Sequence, residues 1–294
     1  MKIAVTGTQG QVVRSLAERG AARGIEVVSI GRPDVDLTEP VALARAIEAA
    51  QADVVINAAA YTAVDKAESE PEAAMAVNAA GAQAVAQAAA RTGRPIVQIS
   101  TDYVFDGRLA RPYREEDSVN PINVYGRTKL AGEYAVAAAN PHHVIVRTAW
   151  VYSPFGNNFV KTMLRLGETR DKLAIVADQS GAPTSALDIA DGLILIVEKL
   201  AGGPRDIALY GTFHMTGGGA TNWADFAAAV FEEAAARGRR PVAIEPIATA
   251  QYPTPAARPA NSRLDIAKIS QTYGVALPDW RQSVRSCVAR LLGG

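Results

Sequence analysis

Tyr125 and Lys129 stand four residues apart in the segment YGRTK, and Thr101 lies 24 residues upstream in STDYVF. On a helix that spacing puts a phenol and an ammonium on one face. A positive charge beside a phenol favours phenolate, so the pair is expected to act as a proton donor of lowered pKa. A hydroxyl at a strand end, Thr101, can hold the oxygen that receives the proton. The chemistry implied is reduction of a ketone. Hydride reaches the carbonyl carbon from a nicotinamide, charge grows on the oxygen, and Tyr125 protonates it. Lys129 can also bind the nicotinamide ribose. Asp102 is a secondary candidate for substrate contact or proton relay.

A tyrosine and a lysine four apart arise by chance on many helices. The pair gains weight from the N-terminus, where a short apolar strand, KIAVTG, runs into GTQGQVV. Gly7 and Gly10 fall in the turn, followed by Gln11 and Val12 at a helix start. Backbone N–H groups there suit a pyrophosphate. Val13 takes the place of the third glycine of the usual fingerprint. The second strand ends at SIGR with no acidic residue to grip an adenine ribose, but with Arg32, whose guanidinium matches a 2′-phosphate. This favours NADPH and leaves NADH open, with a solvated turn arginine as the bland alternative. Asp36 and Leu37 are expected near the adenine, and Ala58, Ala59 and Ala60 along the cofactor.

These groups need a scaffold. Strand-like runs at KIAVTG, IEVVSI, ADVVINAA, PIVQIS and HHVIVRTAW lack polar alternation. Helical segments at 10–23, 39–50, 71–92 and 121–139 separate them. Such strands are buried on both faces, so the pattern predicts a doubly wound α/β fold with a parallel sheet. Residues 1–150 are expected to form this Rossmann-type dinucleotide-binding domain. Residues 151–294 are expected to form mainly a smaller α/β substrate-binding lobe, with part of the chain returning to the sheet. In that half 158–167, 185–200, 222–237 and 279–291 read as helices, and LAIVADQ and LYGTFHMTG as strands. Trp223 and Phe226 share a helix face and read as core. Pro253, Pro255 and Pro259 keep the segment 251–265 from being a helix or central strand.

The chain has 294 residues, with 30 basic and 30 acidic side chains. Zero formal charge gives no support to a nucleic-acid or membrane surface. The single cysteine, Cys287, excludes an intrachain disulfide and a cysteine metal cluster, and its apolar neighbours make it a buried structural thiol. MKIAVTG reads directly as a strand rather than a secretion signal, and no apolar run reaches bilayer length, so a cytoplasmic location is expected. His142, His143 and His214 lack metal-site spacing. Asp65, Glu68 and Glu70 read as a solvated acidic run. Arg258, in the proline-rich loop, suits a substrate phosphate, or else pins that loop to a carboxylate.

The motifs together resemble the dTDP-4-dehydrorhamnose reductase family of the extended short-chain dehydrogenase/reductases. They are GTQGQ at 7–11, NAAAYTAVDKAE at 57–68, STDYVFDG at 100–107, YGRTKLAGE at 125–133, RTAWVYSPFGNNFV at 147–160, DQSGAPT at 178–184 and YPTPAARPANSRLD at 252–265. The resemblance implies reduction by NADPH or NADH of the 4-keto group of a dTDP-6-deoxy-L-hexulose, giving dTDP-L-rhamnose. It implies that Thr101, Tyr125 and Lys129 are catalytic and that Tyr103 lies by the cofactor. It also implies that Trp150 and Asn158 shape the sugar pocket, and that Arg258 and Asn261 face the sugar nucleotide. Some members of the family dimerise through magnesium held by glutamates. The matching positions here are Ser15, Leu187 and Arg290, none a carboxylate. No structural magnesium, and a monomer or a magnesium-independent dimer, are therefore expected. Another nucleotide-sugar reductase or epimerase of the same group, or a non-catalytic regulatory subunit like that of methionine adenosyltransferase, are the alternatives.

Overall fold

The computed structural model describes residues 1–202 and 206–293. The first half alternates β1 (Lys2–Thr6), α1 (Gln11–Ala22), β2 (Glu26–Ile30), α2 (Pro40–Ala50) and β3 (Val54–Asn57). Short helices α3 (Val64–Ala67) and α4 (Pro71–Met75) follow, then a π-helical turn at Ala76–Gly81 that runs into α5 (Ala82–Arg91). β4 (Ile96–Thr101), α6 (Val124–Ala139) and β5 (His143–Thr148) complete this half. The second half comprises β6 (Val151–Tyr152), α7 (Phe159–Gly167), β7 (Lys172–Val176), β8 (Ser180–Gly181), β9 (Thr184–Ser185) and α8 (Ala186–Gly202). It closes with β10 (Gly211–His214), β11 (Thr221–Asn222), α9 (Trp223–Ala235), β12 (Ala243–Ile247), α10 (Ala267–Tyr273) and α11 (Trp280–Leu291).

Six strands make one sheet in the order β2-β1-β3-β4-β5-β10, every neighbour parallel. β10, which follows more than sixty residues after β5 in sequence, pairs with it from Gly211↔Val144 to His214↔Arg147. The strands send alternate side chains to opposite faces. Ile3 and Val5 enter a core with Leu16 of α1 and Leu193 of α8, whereas Ala4 joins Leu43 and Ile47 of α2 and Val85 of α5. Each fully buried leucine or isoleucine of these layers contributes roughly 1.5–3 kcal/mol. The strand order reverses direction at β1, and the crevice at the carboxyl ends on either side of such a reversal is where ligands bind in open α/β sheets.

β6, α7, β7, α9, β12 and α11 form a lobe over that edge. Its core joins Tyr152, Val160 and Met163 to Phe226, Val230, Trp280 and Val284. Cys287 lies in the same core, and burial pushes its thiol up to about 12. β12 and α10 are among the elements that were not legible in the sequence. β12 carries Pro246, yet pairs parallel with β7 in a two-stranded ribbon, where a missing N–H is tolerated at the edge. α10 is only two turns long, ended by Gly274 in the left-handed region at φ 70°. The single helix expected over 71–92 is three consecutive pieces. Its π turn turns Asn78 towards α6, where Asn78 Nδ2 donates to Thr128 Oγ1 at 3.0 Å. No described helix is long and apolar enough to cross a membrane.

Candidate active site

The β1–α1 turn is shaped by Gly7, whose φ of +96° is open to glycine and strained for other residues. A Cβ there would lie 3.3 Å from Val13 Cγ2, so Val13 in place of a third glycine packs snugly under the turn. Gly10 precedes α1 without any side-chain cap, and the first turn of α1 has no acidic residue. Its amide groups are therefore left for an anion.

α6 starts at an Asn123 cap, whose side-chain oxygen accepts from Gly126 N at 2.7 Å. Glu68 Oε1 accepts from Val124 N at 2.7 Å, a carboxylate at the positive end of the helix. The helix then presses against its neighbours with almost no gap. A Cβ on Gly132 would stand 2.0 Å from the Asn78 carbonyl oxygen. This close approach fixes the height of Tyr125 and Lys129 relative to the sheet. β4 and β5 end side by side, Thr101 opposite Thr148, so two hydroxyls border the same crevice.

A cleft of about 650 Å³ lies at this edge. Gly7, Gly10, Gln11 and Val12 line one side, with Ala58, Ala59 and Ala60 beside them. Thr101, Asp102, Tyr103, Tyr125, Lys129 and Trp150 line the other. Thr101 Oγ1 donates to Asp102 Oδ1 at 2.9 Å and accepts from Tyr103 N at 3.2 Å. Lys129 Nζ donates to the Ile99 carbonyl at 2.7 Å. The rings of Tyr103 and Tyr125 meet edge to face, centroids 5.8 Å apart.

Burial dominates the acid–base character of the site. It pushes the Asp102 carboxyl up to about 6 and the Lys129 ammonium down to about 8, Glu133 opposing the latter. The Tyr125 phenol is raised, first by burial and then by Asp102, with a hydrogen bond from Thr101 pulling the other way. The expected acidification of Tyr125 by Lys129 is therefore not found: burial and Asp102 raise the phenol, only Thr101 opposes them, and the ammonium donates to the Ile99 carbonyl. A neutral phenol at neutral pH is still the form that can give a proton.

Other expected residues lie outside the walls of this cleft. Arg32 has an 80% exposed side chain, 3.7 Å from Asp36, whose carboxyl is held low mainly by hydrogen bonds from Thr38. Leu37 is buried beneath Gly81. Asn158 caps α7, accepting from Lys161 N at 3.2 Å, and donates to Gln11 Oε1 at 3.0 Å. Asn261 is buried and donates to the carbonyls of Leu109 and Arg111, each at 2.8 Å. Arg258 donates to both oxygens of Asp65, at 2.6 and 2.7 Å, and also interacts with the Tyr103 hydroxyl. Of the two readings of Arg258, the structure realises the pin to a carboxylate.

The acidic run is accordingly not a solvated patch. Asp65 holds Arg258, Glu68 caps α6, and Glu70 accepts from the Tyr61 hydroxyl at 2.7 Å. Among the described residues no group of three His, Cys, Asp or Glu side chains could hold a metal ion. Arg290 is paired with Glu18 at 2.6 Å. Trp223 corrects a further expectation. Phe226 is core, but Trp223 lines the cleft and stacks on Trp150, centroids 3.6 Å apart and planes 11° off parallel. A helical face shared with Phe226 concealed this, because Trp223 opens α9 and projects past the core. Trp150 holds a left-handed backbone, φ 48°, a strain tolerated where a side chain must be aimed. Thr62 and Val64 also line the cleft.

The profile of the RmlD substrate binding domain family matches residues 1–292. A dTDP-4-dehydrorhamnose reductase of Sinorhizobium fredii is 50% identical over 293 residues, covering 99% of this chain and 98% of the relative. The crystal structure of a dTDP-4-dehydrorhamnose reductase from Clostridium acetobutylicum superposes with a TM-score of 0.91 at 41% identity, covering 99% of both chains. That of the Bacillus anthracis dTDP-4-dehydrorhamnose reductase, in complex with NADP, gives a TM-score of 0.91 at 33% identity, covering 98% of this chain and 99% of the other. With its glycine turn, its Thr–Tyr–Lys cleft and its whole length matched, the chain belongs to the dTDP-4-dehydrorhamnose reductases, the RmlD family of extended short-chain dehydrogenases/reductases.

Proposed function

We propose that the protein reduces the 4-keto group of dTDP-4-dehydro-β-L-rhamnose to give dTDP-L-rhamnose, with NADPH preferred over NADH and Tyr125 as the proton donor. The observation that carries this reading is that Thr101, Tyr125 and Lys129 open onto the same cleft as the glycine turn. The cleft fits a dinucleotide: Gly7 leaves no Cβ in the turn, and the amides at the start of α1 carry no side-chain cap. Gly7, Gly10, Gln11, Val12, the Ala58–Ala60 segment, Tyr103 and Lys129 would hold it. A bound reduced nicotinamide supplies the hydride.

Tyr125 stays protonated at neutral pH because burial and Asp102 raise its pKa. It gives its proton to an alkoxide that is far more basic than any phenolate, so the raised pKa keeps the donor loaded without making transfer unfavourable. Thr101, its hydroxyl turning from Asp102, donates a hydrogen bond to the same oxygen, where charge develops. Lys129 is fixed by the Ile99 carbonyl beside the phenol. The stacked Trp150 and Trp223 rings give the sugar an apolar wall, and Asn158 steadies that wall from the start of α7. Arg258 and Asn261 act on the sugar nucleotide through the loop they brace. Arg32 holds the 2′-phosphate of NADPH, with Asp36 and Leu37 supporting that edge. The enzyme works as a monomer or a magnesium-independent dimer in the cytoplasm.

Incubation with freshly generated dTDP-4-dehydro-β-L-rhamnose tests the reading. One NADPH is consumed per dTDP-L-rhamnose formed. Interconversion of sugars with no net loss of NADPH would instead make the protein an epimerase. Arg32→Ala should lower kcat/KM for NADPH and leave that for NADH; an unchanged preference would remove Arg32 from the site.

A further inference from the structure

One turn beyond Lys129 on α6 lies an ion pair that the reaction does not touch. Glu133 follows Lys129 by four residues and Tyr125 by eight, so all three share a face of α6. Its side chain is 3% exposed and that of Arg147, on β5, 6%. Arg147 Nε donates to Glu133 Oε1 at 2.9 Å and Nη2 to Oε2 at 2.7 Å. Ser100 Oγ donates to Glu133 Oε1 at 2.5 Å. Ser100 directly precedes Thr101 at the end of β4. Arg147 Nη1 is buried with no hydrogen-bond partner, and the guanidinium lies over the Phe105 ring at 5.1 Å from its centroid.

A buried ion pair is a poor way to gain stability, because desolvation offsets most of the attraction and apolar residues of equal volume do as well. This one is therefore better explained by what it positions. It joins three elements, β4, β5 and α6, at the point where they deliver Thr101, Tyr125 and Lys129. We propose that Glu133, clamped by Arg147 and Ser100, is a positioning residue for the reaction. It locks the Tyr125–Lys129 face of α6 to the Thr101 end of β4 and sets a fixed negative charge one helical turn from the Lys129 ammonium.

The charged and titratable groups around Lys129 support this. Its own helix contributes Glu133 and Tyr125, and the turn after β4 contributes Asp102 and Tyr103, which line the same cleft. Arg147 and His214 stand behind Glu133 from β5 and β10. Burial lowers the ammonium to about 8, and Glu133 is the group that counters it. Without that charge Lys129 would lose its proton within the working pH range and could no longer donate to a cofactor ribose as a cation. The inference rests on Lys129 handling the cofactor, as proposed above.

The test is NADPH affinity, read by quenching of intrinsic tryptophan fluorescence between pH 6 and 10. It compares wild type, Glu133→Gln and the doubly neutral Glu133→Gln/Arg147→Met. The double variant guards against misfolding, since Glu133→Gln alone leaves Arg147 buried without a counter-charge. In wild type the affinity should weaken as pH rises through about 8. In the variants the weakening should begin about one pH unit lower, with binding about fivefold weaker at pH 8, about tenfold weaker at pH 9 and equal at pH 6. A folded variant with the wild-type profile overturns the inference. So does a loss that is the same at every pH, or failure of both variants to fold, since each describes a purely structural pair. A wild type that binds no NADPH sinks the functional reading itself, and this inference with it.

Discussion

Arg258 and Asp65, 193 residues apart in sequence, meet in a two-pronged ion pair that fastens the proline-rich loop to the segment after β3. Asp65 also accepts from Ala256 N at 3.1 Å, and Arg258 donates back to the Ala256 carbonyl. The pair holds the Asp65 carboxyl below its ordinary value, the Arg258 hydrogen bond being the main cause. It therefore ties two distant parts of the chain together beside Val64 and Tyr103, which line the cleft.

If the pair's work is to hold that loop, Arg258→Ala and Asp65→Asn should be non-additive. Each should raise the KM for the sugar nucleotide several-fold, and the double variant should be no worse than either single one. With the Asp65 side chain 44% exposed, the coupling energy from urea unfolding should be modest, about 1 kcal/mol or less. Additive losses would show that Arg258 acts on the substrate independently of Asp65.

Tyr125→Phe removes one hydroxyl from a buried ring. The chemical step should slow by about 10²–10⁴-fold, while the KM for sugar and cofactor stays within a few-fold. Steady-state kinetics separate the two effects. Because the phenol is raised rather than lowered, the wild-type rate should show no alkaline loss from Tyr125 below pH 9.

Asp102 is a buried carboxyl that accepts from Thr101 Oγ1 at 2.9 Å and takes a further hydrogen bond from Ser262. Burial pushes its folded pKa up to about 6, above the ordinary aspartate value of 3.8. A raised carboxyl contributes fully below the unfolded value and loses that contribution as pH rises to the folded one. Asp102→Asn should thus leave stability unchanged near pH 3.5 and increase it progressively up to pH 6–7, by at most about 3 kcal/mol. Thermal melts across pH 3.5–8 would show this as a growing gap in Tm. A constant gap would mean the carboxyl is not buried as a charge.

Gly132→Ala forces a methyl group into the Asn78 carbonyl, which cannot retreat without moving the π turn. The expected cost is about 1–3 kcal/mol of stability from overpacking. A kcat loss should accompany it, since α6 carries Tyr125 and Lys129. Unaltered kcat in a destabilised variant would show that α6 can shift without disturbing the chemistry.

Much was legible in the sequence because it is carried by local pattern. Apolar runs without alternation dictated strands buried on both faces, and the i, i+4 spacing dictated that Tyr125 and Lys129 share a helix face. The glycine turn is local too, since its backbone angle depends on Gly7 alone. These facts sufficed for the parallel sheet, for the glycine turn and for bringing Thr101, Tyr125 and Lys129 to one cleft. β12 escaped because a proline disguises an edge strand, and α10 because two turns leave too short a period.

What only tertiary structure decided are the partners of charges and the balance between charge and burial. Asp65, Glu68 and Glu70 look like a wet surface run, yet each is claimed by a group from elsewhere: Arg258, the start of α6, and Tyr61. Trp223 looks like core, yet its place at the first position of α9 turns it onto Trp150. The sign of the Tyr125 shift is of the same kind. Spacing puts an ammonium and a phenol on one helix face, but how far each is removed from water depends on every layer packed around them, and there burial, with Asp102, sets the direction of the phenol's shift.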